Sequence, residues 1–148
     1  MGCQSRERAR RAPGQRTILG MPVEVGARYT WERTVEPEMT ADRWGNPGVQ
    51  VLSTPNLVGL FEGTAVRAIR DKLEPGQSSV GTRVDVRHLK ATRVGDTLRL
   101  SAEVTAVEGR RVTFHVRAED TEGLAGEGTH ERVLVDLDRF MNRARASG

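Results

Sequence analysis

From residue 96 to residue 119 the chain alternates apolar and polar side chains with little interruption. Leu98, Leu100, Ala102, Val104 and Ala106 share one parity. After a tight turn at Glu108, Gly109 and Arg110, so do Val112, Phe114, Val116 and Ala118. A period of two marks a strand with one face buried and the other in water, so the stretch is predicted to be an antiparallel hairpin. Its apolar face needs a cover, and the chain offers one element long enough to supply it. Thr54 suits a helix N-cap and Pro55 the first helical position. A helical pattern then runs over 55–73, until Glu74, Pro75 and Gly76 stop it.

Three further β-runs complete the pattern: 25–35, which holds Tyr29 and Trp31, then 79–92 and 124–137. Residues 37–47 are rich in turn formers, and 138–145 suit a short amphipathic helix. The predicted order is strand, loop, long helix, then four strands in a meander. One helix and one antiparallel sheet must cover each other, which gives an α+β fold. A five-stranded sheet wrapped around a single central helix is the arrangement called a hot dog. Its open edges predict a homodimer, and Gly59 and Gly63, four apart, would let another backbone come close.

The chain of 148 residues suffices for one domain, with residues 21–146 as the folded part. Aromatic residues make up only 4%, so Val, Leu, Ile and Ala must build the core. Residues 1–20 carry five arginines and one glutamate, a net of +4, against +3 for the whole chain. The remainder is therefore −1, and the basicity belongs to a predicted disordered arm. Nucleic-acid binding is accordingly not expected. Cys3, the single cysteine, lies in that arm, so the folded part has no thiol for a disulfide, a metal or a nucleophile. Arg6 stands where a myristoylation signal needs Ser or Thr, and Met21 offers an alternative start. No membrane span and no secretory apolar region is present, so a cytoplasmic protein is expected.

Glu62 falls among Val58, Ala65, Val66 and Ile69 on the predicted apolar stripe. A carboxylate there is costly unless it is paired, protonated or placed in a functional pocket. Val80, Thr82, Val84, Val86 and His88 share a parity, which aims His88 at the helix, either as a hydrogen-bonded core histidine or as a functional one. His88 reads as the only histidine on a plainly apolar face; His115 faces the polar side, and His130 shares its parity with Arg132. Thr54 stands at a helix N-terminus, where N–H groups and the dipole favour an anion or a developing oxyanion. It lies about 12 Å along the axis from Glu62, at about 1.5 Å per residue, so the two do not touch within one chain. No phosphate loop, no His-x-x-x-His metal pair and no nucleophile elbow is present.

Thr54, the helix with Gly59, Leu60 and Glu62, the segment from Gly81 and Thr82 to His88, and the run Gly128 to Arg132 resemble the fluoroacetyl-CoA thioesterase-like branch of hot-dog thioesterases. The string VEGRRVTFHVRAED followed by GTHERVLVDLDRF is especially similar. The resemblance spans residues 22–142. It implies a homodimeric hydrolase of acyl-CoA thioesters that needs no cofactor beyond the coenzyme A of its substrate. It also implies Thr54, Glu62 and His88 as catalytic residues, Gly81 as a backbone N–H donor near the thioester carbonyl, and Arg132 in the substrate site. Glu62 would act as nucleophile or as general base. The segment 43–52 is short, with Trp44 its only aromatic, so a general acyl-CoA thioesterase is expected rather than a fluoroacetyl-specific one. The alternative is a hot-dog domain that binds an acyl-CoA or another small ligand without turning it over.

Overall fold

A computed structural model describes residues 22–146; the arm of residues 1–20, with Cys3, lies outside them. Five strands, β1 (Arg28–Thr34), β2 (Gln77–His88), β3 (Thr97–Glu108), β4 (Arg111–Asp120) and β5 (Gly123–Asp136), form one antiparallel sheet in the order β1-β3-β4-β5-β2. The helix α1 (Thr54–Ile69) lies across its inner face, and α2 (Leu137–Ala146) follows the last strand. This is the predicted α+β hot-dog arrangement.

The meander is confined to β3, β4 and β5. β2 skips its neighbour in sequence and pairs with β5 at the far edge, Val84 opposite His130 and Val86 opposite Gly128. Alternation shows which face of a strand is buried; it does not show which strand lies beside it. The hairpin β3–β4 turns through Gly109 at φ +61°, a left-handed conformation that a side chain would strain.

Leu98, Leu100, Ala102 and Val104 are buried as their parity predicts, as are Val112, Phe114, Val116 and Ala118. Ala106 is not on that face, because a bulge between Val104 and Ala106 reverses the parity. Against these residues α1 packs Leu57, Phe61, Ala65, Ala68 and Ile69. The buried stripe is thus turned about one residue from the predicted one. The polar group in it is Thr64, whose Oγ1 accepts a hydrogen bond from Trp31 Nε1 at 2.9 Å and donates to Leu60 O at 2.6 Å.

The start of α1 is fixed from behind. Leu52 N donates to Thr92 O and Ser53 N to Met39 O, both at 2.8 Å. Ser53 is the N-cap, its Oγ accepting from Asn56 N at 3.1 Å, and Thr54 is the first helical residue. The predicted cap is therefore displaced by one, which leaves the Thr54 hydroxyl unused by the helix. The loop before it forms two short 3-10 turns, Pro37–Met39 and Ala41–Trp44, with Trp44 62% exposed. Among the described residues no helix is long and apolar enough to cross a membrane.

Candidate active site

Two polar clusters lie between α1 and β2. The first joins the start of the helix to the end of the strand: Thr54 Oγ1 is 2.8 Å from His88 Nδ1. Burial lowers the His88 pKa below the ordinary imidazole value, against a smaller opposing contribution from the Lys90 backbone. A neutral ring has one donor and one acceptor nitrogen. Among the described residues His88 Nε2 is buried without a hydrogen-bond partner.

The second cluster lies two helical turns on. Arg132, almost fully buried, donates from Nε to Ser79 Oγ at 2.9 Å, from Nη2 to Ser79 O at 3.0 Å and from Nη1 to Glu62 Oε2 at 3.4 Å. Glu62 itself is not buried: its side chain is 42% exposed in the single chain. The predicted carboxylate on the core stripe is instead a carboxylate at the margin of the helix, paired with a buried guanidinium. Its position is held by ion pairing and not by packing.

Gly81 faces this cluster. A Cβ there would sit 3.0 Å from Glu62 Oε2, 3.2 Å from His130 Cε1 and 3.3 Å from Arg132 Nη1. A side chain there would crowd all three, and the end of the Glu62 side chain is the nearest. Ser79 and Gly81 face α1, whereas beyond the bulge between Gly81 and Arg83 it is Val84, Val86 and His88 that do. The single parity predicted for Val80 through His88 is therefore broken. His88 faces the helix as expected, and Val80 does not.

His130 is the residue that the sequence reading missed. It is fully buried and stacked on Phe114, with ring centroids 6.1 Å apart, so His88 is not the only histidine on the helix side. Its Nδ1 is 2.8 Å from Arg83 O, which can only accept, so Nδ1 carries the proton. Its Nε2 is then the acceptor for Arg132 Nη1, 3.2 Å away. Burial and the Arg132 charge lower its pKa, in agreement with a neutral ring, although the Arg83 carbonyl and two glutamates oppose them. The signal was present in the sequence, since His130 shares the parity of Arg132. His115 faces the polar side, beside Glu127, as predicted.

Within one chain, then, Thr54 and His88 meet, and Glu62, Gly81 and Arg132 meet, but the two groups stay apart. On the other flank of α1, Gly59 and Gly63 border an open groove of about 400 Å³ with Trp31, Met39, Leu60 and Arg67; among the described residues none comes within 4 Å of where a Cβ on Gly59 would lie. Among the described residues no group of three or more His, Cys, Asp or Glu is placed to hold a metal ion.

A family model described as fluoroacetyl-CoA-specific thioesterase matches residues 35–138. The fluoroacetyl-CoA thioesterase of Streptantibioticus cattleyicolor is 37% identical over 129 residues, 83% of this chain and 93% of that protein. The crystal structure of a variant fluoroacetyl-CoA-specific thioesterase in complex with fluoroacetate and CoA superposes with a TM-score of 0.75 at 38% identity, over 80% of this chain and 99% of that one. A hot-dog-like protein from Thermanaerovibrio acidaminovorans superposes with a TM-score of 0.78 at 28% identity, over 83% of this chain and 91% of that one. The match covers both polar clusters and the elements that carry them, and the chain belongs to the fluoroacetyl-CoA-specific thioesterase family, as a thioesterase with the hot-dog fold.

Proposed function

We propose that this chain hydrolyses the thioester of an acyl-CoA to the free acid and coenzyme A, with Thr54, Glu62 and His88 as catalytic residues. The observation that carries this reading is the Thr54–His88 pair at the N-terminus of α1, on the same flank as Glu62. A thioester carbonyl beside the helix start meets the positive end of the dipole, which favours the oxyanion. Thr54 orients the acyl group and His88 handles the proton. Glu62 either adds to the carbonyl carbon, expelling the CoA thiolate and leaving an anhydride that water hydrolyses, or takes a proton from the attacking water. Gly81 supplies a backbone N–H to the reacting group, and Arg132 holds the carboxylate. No dissociable cofactor is needed, so activity should survive exhaustive dialysis with a chelator.

The site is completed by a second copy of the chain. β2 is an edge strand, and Val84, on its helix side, is 36% exposed there. Two β2 strands paired about a two-fold axis at Asp85 would set Val84 opposite the partner's Val86. Thr82 is the extra residue of the bulge, so Gly81 would fall opposite the partner's His88, both on the helix side. The Glu62 cluster of one chain would then adjoin the Thr54–His88 pair of the other.

The test is hydrolysis of an acyl-CoA panel followed by thiol capture. Glu62→Gln should cut turnover at least about 100-fold, the scale of a general base or nucleophile. Its melting temperature should fall slightly, because buried Arg132 loses its charged partner. Wild-type turnover in the variant would end the assignment. Trp44, the one aromatic residue of segment 43–52, is 62% exposed in the single chain, so acetyl- and fluoroacetyl-CoA should differ in kcat/KM by no more than about 200-fold, the upper end of what one small substituent in an apolar pocket gives.

A further inference from the structure

We infer that His130 is a positioning residue for Glu62, acting through Arg132; the inference rests on the catalytic reading of Glu62 above. Three observations carry it. His130 is fully buried, and both of its ring nitrogens are committed, Nδ1 to the carbonyl of Arg83 and Nε2 to Arg132 Nη1. Arg83 is the first residue past the bulge that makes room for Gly81, so one imidazole ties the bulged edge of β2 to the guanidinium. Finally, the atom that meets His130 Nε2 is the same Nη1 that meets Glu62 Oε2.

Arg132 has five N–H groups in a rigid fork. Ser79 fixes one side of that fork through its hydroxyl and its carbonyl. His130 fixes the Nη1 end, and the direction of Nη1 sets where the carboxylate of Glu62 lies relative to Gly81. A half-exposed glutamate on a helix has many rotamers, and a misplacement of about 1 Å at a reacting group can cost about 100-fold in rate. His130 narrows those rotamers without touching substrate.

The test compares His130→Phe and His130→Gln in steady-state kinetics on the best acyl-CoA of the panel. Phe keeps the stacking on Phe114 and removes both hydrogen bonds; Gln restores an acceptor for Arg132. We expect His130→Phe to lower kcat by about 10- to 100-fold with KM changed less than about threefold, and Gln to recover most of the loss. In a Glu62→Gln background the same Phe substitution should lower kcat no further. A folded His130→Phe enzyme with wild-type kcat overturns the inference, and so does an equal loss in both backgrounds. Should Phe not fold, a His130→Gln enzyme in which kcat drops while Arg132→Lys leaves it unchanged overturns it as well. If Glu62→Gln alone has wild-type turnover, it is the reading of Glu62 that fails.

Discussion

Thr54 and His88 are 34 positions apart in the chain, yet their side chains close the gap between the start of the helix and the end of the edge strand at 2.8 Å. The contact lies at the rim of the core and buries little apolar surface. His88→Ala should therefore lower turnover by about 100-fold, and Thr54→Ala by at least about 10-fold, with small changes in melting temperature. Thr54→Ser, which keeps the hydroxyl, should recover most of the rate. A sharp loss of stability with unchanged rate per folded molecule would make His88 a packing residue.

Gly81→Ala tests the crowding beside Glu62. A strand gains roughly 0.5–1 kcal/mol from replacing Gly with Ala where space allows. Here the added methyl meets Glu62, His130 and Arg132 at 3.0–3.3 Å. The carboxylate is the most exposed of the three and is the one that moves. We expect kcat to fall at least about 10-fold, given how steeply rate depends on placement, with the melting temperature nearly unchanged. Full activity in this variant would remove Gly81 from the site.

Stability should depend on pH through the two inward histidines. Burial lowers the folded-state pKa of both His88 and His130 below the ordinary value near 6.5. The unfolded chain then binds protons that the folded chain refuses, so stability rises with pH in this range. Their contribution is complete above about pH 7 and is lost as pH falls from about 6.5 toward the lowered folded-state values. Urea unfolding between pH 5 and pH 8 measures it. His130→Phe should flatten the curve, and a His130→Phe curve as steep as the wild-type one would contradict the buried neutral ring.

Complementation tests the shared site. Thr54→Ala and Glu62→Gln each impair both sites of their own homodimer. In a mixed dimer one site receives both substitutions and the other receives neither, so subunit exchange should restore up to about half of the wild-type activity per dimer. A mixed dimer that forms and stays inactive would put Thr54 and Glu62 of the same chain in one site. A fully active monomer at micromolar concentration would reject the shared site.

The elements were readable in the sequence, and so was the placement of Thr54, Glu62, Gly81, His88 and Arg132 between the helix and the sheet, but not how the elements are phased. Leu98 to Val104 and Val112 to Ala118 alternate without interruption, and there a period of two is a direct image of one buried face. At Thr105 and at Thr82 an extra residue reverses the face, and a bulge leaves no mark in composition. The apolar stripe read through Glu62 is displaced, because Leu57, Phe61 and Ala68 set the buried face about one residue away and leave Glu62 at its margin. The shared parity of His130 and Arg132 on one strand is visible in the sequence, but the Arg83 carbonyl that fixes the His130 ring reaches it only through the pairing of β2 with β5, which no local pattern encodes.

Because Ser53 takes the capping bond and Thr54 does not, the helix start and the chemistry beside it answer to different residues. Holding the helix end costs position 54 nothing, and position 54 owes the helix nothing in return. A lineage could therefore try serine, alanine or asparagine there while the scaffold stayed indifferent. Position 53 carries the scaffold's side of that division: losing its hydroxyl would fray the turn that carries Thr54. On the proposed reading, a loss of rate and a loss of helix stability are therefore separable at two adjacent positions, 54 and 53.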